Sequence, residues 1–221
     1  MNAQPGSVVS ARVKTNSSAV GAAAALAPDV TVFDPKGKAT KLSKIITRPT
    51  VLFIYPEASS PACTEEAKGF SASKNELSAL GFDVMGLSPD EPEAIACFID
   101  DESLKIPMYC DPRDEKGVPR GLQALGAYGQ KSLYGKTVTA VLRSTLILEP
   151  SSKGPVVRLA MINIRAKGHV ERVVQMLRDE RVGNGESAGA KKAKTPTKSK
   201  PKASGAKPAK TSASEKTKPA K

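Results

Sequence analysis

Among the side chains of this chain that can act as nucleophiles, Cys63 has the most marked setting. It lies in residues 56–70, PEASSPACTEEAKGF, directly after the apolar run Val51-Leu52-Phe53-Ile54-Tyr55. The β-branched and aromatic content of that run predicts a buried central strand. Proline and serine residues then predict a turn, and Thr64-Glu65-Glu66-Ala67-Lys68 a helix start with acids in its first turn. A cysteine at a strand–loop–helix junction meets free backbone N–H groups and the positive end of a helix, which favour thiolate over thiol. Two chemistries fit the position: a reactive thiolate, or an inert buried cysteine of the kind common in cores.

The rest of the composition bounds the choice. At 221 residues the chain can hold one good-sized domain plus tails. Three cysteines do not make a disulfide framework, and the odd number points to a reducing compartment. They and the single histidine lack any C-x-x-C or H-x-x-x-H spacing, so no metal site and no cofactor are expected. No run reaches the roughly 18 apolar residues of a membrane span. The apolar stretch 19–26 is short, mostly alanine and without a charged start, which argues against a secretory signal. Residues 1–28 carry Arg12 and Lys14 and no acid, a charge pattern shared with organelle transit peptides; a disordered leader over 1–27 is the default expectation.

The elements that must position Cys63 follow in order. Residues 30–33 predict a short strand and 34–38 a turn, with Leu42, Ile45 and Ile46 packing afterward. The helix opened by Cys63 is expected to run to Leu80 on a stripe of Ala67, Phe70, Leu77 and Leu80. Gly69 weakens it and Gly81 ends it. Residues 82–87 predict a second core strand, and strand–helix–glycine–strand is the rhythm of a parallel α/β sheet. A helix over 91–100 buries Ile95 and Phe98-Ile99 and contains Cys97. Residues 105–110 are a third strand candidate, ending at Cys110. Residues 112–137 are expected to be a long loop with a helical fragment around 122–125, unusual enough to suggest a functional insert. Residues 138–143 and 145–149 form one long strand, or two with an irregular joint at Ser144. Residues 155–161 are a hairpin partner, and a final helix spans 167–180 with Val170, Val173, Val174 and Leu177 inward. The folded domain is thus placed at 28–182.

Charge is concentrated beyond it. The formal net charge is +12, and residues 186–221 carry eleven lysines against two glutamates. From Ala190 onward there are only Ala, Lys, Pro, Ser, Thr, Gly and one Glu, so residues 183–221 are expected to be a disordered basic tail. Its composition resembles the tails of linker histones. Polycations bind phosphate backbones by releasing counterions, with strong salt dependence and little sequence dependence. Lys191, Lys192, Lys194, Lys198, Lys200 and Lys202 are the candidate nucleic-acid contacts, and the cluster Lys191-Lys192-Ala193-Lys194 a candidate nuclear import signal. A solubilising tail, or contact with RNA or anionic membrane, are the alternatives.

Residues 26–177 resemble a peroxiredoxin of the bacterioferritin-comigratory-protein (PrxQ) branch, and with the lysine-rich tail the chain looks like the fungal nuclear thiol peroxidases. The family pattern P-x-x-x-T/S-x-x-C falls on Pro56, Ser60 and Cys63, and its acid on Glu66. Its later arginine run matches Arg143-Ser144-Thr145, and the branch's N-x-x-A-K-G-H-V-x-x-V matches Asn163, Ala166, Lys167, Gly168, His169, Val170 and Val173. The resemblance implies a thioredoxin-like α/β fold, a central mixed sheet flanked by helices, and reduction of hydroperoxides. Two departures stand out. Ser60-Pro61-Ala62-Cys63-Thr64 replaces the usual T-P-G-C-T, and Lys68 stands where many members carry a resolving cysteine. Cys97 matches the alternative location in the next helix, and residues 112–137 exceed the branch's usual segment.

Carried over residue by residue, the resemblance implies that Cys63 attacks the terminal peroxide oxygen and becomes a sulfenic acid. Arg143 lowers its pKa and holds the peroxide, Ser60 exchanges a hydrogen bond with substrate, and Pro56 shields the thiolate. Glu66 anchors an arginine, and Thr64 frames the pocket. No general base is needed, so His169, at a helix start, is expected at the surface. Cys97 is either the resolving cysteine or an inert core cysteine, and Cys110 is a less favoured resolver. A one-cysteine route with an external thiol is the remaining option. The implied partners are a hydroperoxide and thioredoxin or another thiol reductant, with DNA or chromatin through the tail. A monomer in the nucleus is expected, with cytoplasm or an organelle as the alternative. Two rival functions stay open: a chromatin-associated protein on an inactive fold, and a peroxide sensor that relays oxidation.

Overall fold

The computed structural model describes residues 25–133 and 135–185. The tail lysines and most of the leader lie outside the described residues. Sixteen elements are described. They are β1 (Ala25–Leu26), β2 (Thr31–Phe33), β3 (Ala39–Lys41), α1 (Leu42–Ile45), β4 (Thr50–Ile54), α2 (Pro61–Ala72), α3 (Lys74–Ala79) and β5 (Asp83–Ser88). After these come α4 (Pro92–Glu102), β6 (Met108–Cys110), α5 (Arg120–Ala124), β7 (Tyr128–Leu133), β8 (Lys136–Val141), β9 (Ser144–Glu149), β10 (Val156–Ile162) and α6 (His169–Gly185).

Eight strands form one sheet in the order β1-β10-β9-β4-β5-β6-β2-β3. β4, β5 and β6 run parallel, and β9, β10 and the outer strands pair antiparallel. This is the mixed sheet flanked by helices of a thioredoxin-like α/β fold. The central strand β4 is buried along its whole length. Side chains alternate across a strand, so Val51, Phe53 and Tyr55 join one core cluster and Leu52 and Ile54 the other. The first cluster takes in Cys63, Ala67 and Phe70 of α2, Ile95 and Phe98 of α4, and Val170, Val173 and Leu177 of α6. The second holds Leu42, Leu122 and Val141.

Several expectations are revised. Ala25 and Leu26, placed in the leader, pair with Val157 and Val156, and Ala27 is buried. The single helix expected over 63–80 is two, broken at Ser73, which closes α2 and opens α3. The chain is fastened around this break: Ser71 Oγ accepts from Lys105 N at 2.8 Å, and Lys74 Nζ donates to Lys105 O at 2.7 Å. Gly69 has a packing reason, since a Cβ there would lie 3.0 Å from Val170 Cγ2, and its absence lets α6 approach α2. The strand expected over 105–110 is confined to Met108–Cys110.

The stretch 112–137 is not a long loop. α5 buries Leu122 and is held by Asp111, whose Oδ2 accepts from Leu122 N at 2.7 Å. Beyond it β7 and β8 form their own two-stranded antiparallel sheet. Residues 138–149 are accordingly two strands of different sheets, parted at Leu142 and Arg143.

Candidate active site

Sheet register brings the site together. β4 pairs with β9 so that Ile54 faces Ser144, which sets Arg143, just before β9, beside the loop that follows β4. The Arg143 carbonyl accepts from Ile164 N at 2.9 Å, and Leu142 N donates to Ala127 O at 2.8 Å, so the residue is fixed from both sides. α2 starts at Pro61 with Ser60 in extended conformation ahead of it. Pro suits the first helical position because its missing N–H would be unpaired there anyway. Cys63 and Glu66, one turn apart, both point inward; Cys63 is fully buried and Glu66 nearly so.

The Arg143 guanidinium forks between them. Nη2 donates to Cys63 Sγ at 3.1 Å, and Nη1 donates to Glu66 Oε2 in an ion pair. Arg143 is only 11% exposed and the Glu66 side chain not at all. Burial would lower the arginine's pKa, yet Glu66 and the Cys63 sulfur hold it above its ordinary value. Burial pushes the Glu66 carboxyl up to about 7 against the pull of Arg143. Desolvation outweighs the ion pair, and the second carboxylate oxygen, Oε1, has no partner among the described residues. The Cys63 N–H is already engaged by Ser60 O at 3.0 Å. The sulfur's cationic partner is a side chain eighty residues away in sequence, the arginine that the family resemblance implies, while Cys63 itself lies in the first turn of α2.

Of the other predicted residues, Pro56 and Ser60 lie on the loop between β4 and α2, and Thr64 lies in the first turns of α2. Pro56, Ser60 and Thr64 are half-buried. The Ser60 hydroxyl donates to Glu57 O at 3.1 Å, which leaves its oxygen free to accept. The loop between Pro56 and Ser60 has Ser59 at a φ of 59° and is latched by Ala58 N donating to Asp90 Oδ2 at 2.8 Å. Cys97 is exposed on α4, so of its two readings the inert core cysteine does not hold. Cys110 is buried, with Sγ 3.6 Å from Phe33 O, and burial followed by the charges of Glu91, Asp90 and Asp111 pushes its thiol up to about 12. All three thiols are free.

His169 is buried, not at the surface as expected. Its Nε2 lies 2.8 Å from Thr145 Oγ1, and its ring meets Phe70 edge-on at 6.2 Å. Burial, then the charges of Arg172 and Arg143, depress it to about 4, so it is neutral across the physiological range. Tyr55, which sequence reasoning treated only as strand, sits in the same cluster as Cys63. A cleft of about 400 Å³ lined by Lys68, Ser71, Lys74, Glu102 and Lys105 lies at the other end of α2 and includes no cysteine.

A buried cysteine held by an arginine–glutamate pair on a thioredoxin-like sheet marks the class: a thiol-based oxidoreductase. The AhpC/TSA family pattern matches residues 23–153. A Mycobacterium tuberculosis protein named as a peroxiredoxin is 37% identical over 147 residues, 66% of this chain and 88% of the relative. A Helicobacter pylori protein named as peroxiredoxin bcp is 34% identical, covering 69% and 95%. The structure of the bacterioferritin comigratory protein of Xanthomonas campestris, described for its alkyl peroxide reduction activity, superposes with a TM-score of 0.57 at 26% identity, covering 69% of this chain and 92% of that one. The chain belongs to the AhpC/TSA family, as a peroxiredoxin of the bacterioferritin-comigratory (PrxQ) branch, and is a peroxidase.

Proposed function

We propose that the protein reduces hydrogen peroxide and organic hydroperoxides with Cys63 as the attacking sulfur. The observation that carries this is the Arg143 fork, which puts one guanidinium N–H on Cys63 Sγ and another on buried Glu66. The Cys63 thiolate attacks the terminal peroxide oxygen, the O–O bond breaks, and the sulfur becomes a sulfenate as the alkoxide leaves and takes a proton to become the alcohol. Arg143 is placed to stabilise charge as it moves from sulfur to the leaving oxygen, and Glu66 fixes the guanidinium. Ser60 supplies a hydroxyl to the substrate, Pro56 and Thr64 narrow the approach, and no proton acceptor beyond the thiolate is required.

Reduction of the oxidised sulfur is assigned to Cys97. Its exposure on α4 suits a thiol that condenses with the sulfenic acid and then offers the disulfide to thioredoxin, whereas Cys110 is buried and its thiol strongly disfavours ionisation. Because Cys63 is fully buried and Cys97 exposed, the first turn of α2 must open for the sulfurs to meet. The lysine-rich composition of residues 186–221 supports a nuclear protein of the kind represented by fungal thiol peroxidases, held near DNA by charge. An NADPH-coupled assay with thioredoxin and thioredoxin reductase tests the enzyme reading: turnover is expected for wild type and C97S is expected to lose thioredoxin-linked turnover. Turnover by C63S equal to wild type would refute it.

A further inference from the structure

Residues 163–170, between β10 and the first turn of α6, attach to both sides of the Arg143 fork. Ile164 N donates to the Arg143 carbonyl at 2.9 Å. His169 Nε2 lies 2.8 Å from Thr145 Oγ1 on β9. Val170 packs against Gly69 of α2, where a Cβ would come within 3.0 Å of Val170 Cγ2. Asn163, at the head of the segment, takes a φ of 56°, a left-handed conformation that asparagine adopts more readily than most residues.

His169 meets both elements with one ring. Thr145 pairs with Phe53 of β4, which shares its core cluster with Cys63. Phe70, whose ring the imidazole meets edge-on, lies one turn beyond Glu66 and two beyond Cys63 on the buried face of α2. Phe70 in turn stacks on Phe53 at 4.6 Å between centroids. Burying an imidazole costs hydration, and here the partner that offsets it is a hydroxyl that is itself fully buried. An apolar side chain would fill the space without that cost. What it would not supply is direction, because apolar contact is non-directional and a hydrogen bond is not. Burial, with the charges of Arg172 and Arg143 and against the pull of Glu171, keeps the ring neutral, so no second cation competes with Arg143 for the sulfur and the carboxylate.

We propose that His169 is a positioning residue for Arg143: its hydrogen bond to Thr145, with its ring edge on Phe70, sets the spacing of β9 and α2 at which one guanidinium reaches both Cys63 Sγ and Glu66. The residue acts through the arginine and not on the peroxide. Ile164 holds the arginine's own backbone, and His169 holds the strand just after it against the helix that carries the sulfur. Loss of the hydrogen bond lets that spacing relax, and the fork loses reach to one of its two partners.

The inference rests on the peroxidase mechanism proposed above, and the test separates the two. The rate of Cys63 oxidation by hydrogen peroxide is followed by intact mass in the full-length C97S protein, where it reads as one added oxygen. To this parent are added H169Q, H169L and the pair H169L/T145V, each with and without R143A. H169L/T145V removes both partners, so no polar group is left unpaired and the melting temperature is expected to stay near that of the parent. Its oxidation is expected to slow about tenfold, part of the roughly hundredfold that misplacing a reacting group by about an ångström costs. H169Q, which keeps a hydrogen-bonding group toward Thr145, is expected to recover most of the rate that H169L loses. With R143A already present, H169L/T145V is expected to change nothing further, since there is no guanidinium left to position. Oxidation of H169L/T145V as fast as the parent, H169Q no faster than H169L, or an equal slowing with and without Arg143 overturns the inference. If H169L/T145V does not fold, the comparison passes to T145S, which keeps the hydroxyl, and T145V, which replaces it by a methyl group. T145S is then expected at the parent rate and T145V slowed, and equal rates for the two overturn the inference. A parent that gains no oxygen on Cys63 overturns the peroxidase mechanism itself, and this inference with it.

Discussion

Arg143 is the residue on which the proposed chemistry turns. A cation touching both a sulfur and a carboxylate in a water-excluded setting is worth far more than one in solvent, and it needs no reorganisation when charge moves. Arg143→Ala is expected to lower kcat/KM for hydrogen peroxide by about 10²–10³-fold, in line with loss of one preorganised donor. Arg143→Lys should recover only part of this, because a lysine cannot donate to sulfur and carboxylate in one planar fork. A rate for R143A within a factor of about two of wild type would place the arginine outside the reaction.

Glu66 gives a pH signature with a definite sign. Its folded value of about 7 lies above the ordinary 4.5, so folding takes up a proton between those values. Its contribution to stability is fully present below 4.5 and is lost as pH rises through 7. Urea denaturation of wild type and Glu66→Gln is therefore expected to show the variant gaining relative stability from pH 5 to pH 7.5; a constant difference across that range contradicts the assignment.

At the scale of elements, the site depends on two junctions: β4 into α2, and β8 into β9. The first was legible in the sequence, because an apolar run, a Pro-Ser turn and acids in a helical first turn are local signals. The second became legible only through the family pattern around Arg143, since nothing near residue 143 reveals that the register of β4 and β9 sets it beside Cys63. The break at Ser73 is flanked by hydrogen bonds of Ser71 and Lys74 with the backbone of Lys105, a residue distant in sequence, and the β7–β8 hairpin exposes side chains on both faces, so its alternation is faint. The outward face of Cys97 was within reach: two residues beyond Ile95 is more than half of a turn of about 3.6 residues, so both cannot face the core.

His169 was missed because a polar residue at a helix start reads as exposed, and its partner Thr145 comes from β9. The pair fastens the start of α6 to the strand that follows Arg143. With a folded value near 4 against an ordinary 6.5, its contribution to stability is fully present above 6.5 and is lost as pH falls through 4. This runs opposite to Glu66. His169→Asn is expected to flatten the acid limb of the stability curve, removing on the order of 2 kcal/mol of dependence between pH 6.5 and pH 4. An unchanged acid limb contradicts a buried neutral histidine. By contrast, the Lys68–Glu102 bridge between α2 and α4 is largely exposed on its lysine side, and Lys68→Ala is expected to change stability by less than about 1 kcal/mol.

For the whole molecule, charge is divided unevenly along the chain. Residues 186–221 hold +9 of the net +12, leaving the remainder close to neutral. Association with DNA through them predicts an affinity that falls steeply with salt and disappears when residues 186–221 are deleted, with peroxidase activity retained. Binding to duplex DNA that survives the deletion assigns it elsewhere. The central claim remains that Cys63, gripped by Arg143, is the sulfur that meets the peroxide. It is tested most directly by the intact mass of the reduced protein after one equivalent of hydrogen peroxide, with C97S and C63S alongside. The expected result is a disulfide, two hydrogens lighter, in wild type and one added oxygen on Cys63 in C97S, with C63S unchanged. Oxidation of C63S at the wild-type rate, or oxygen found on Cys97 or Cys110 while Cys63 stays reduced, contradicts it.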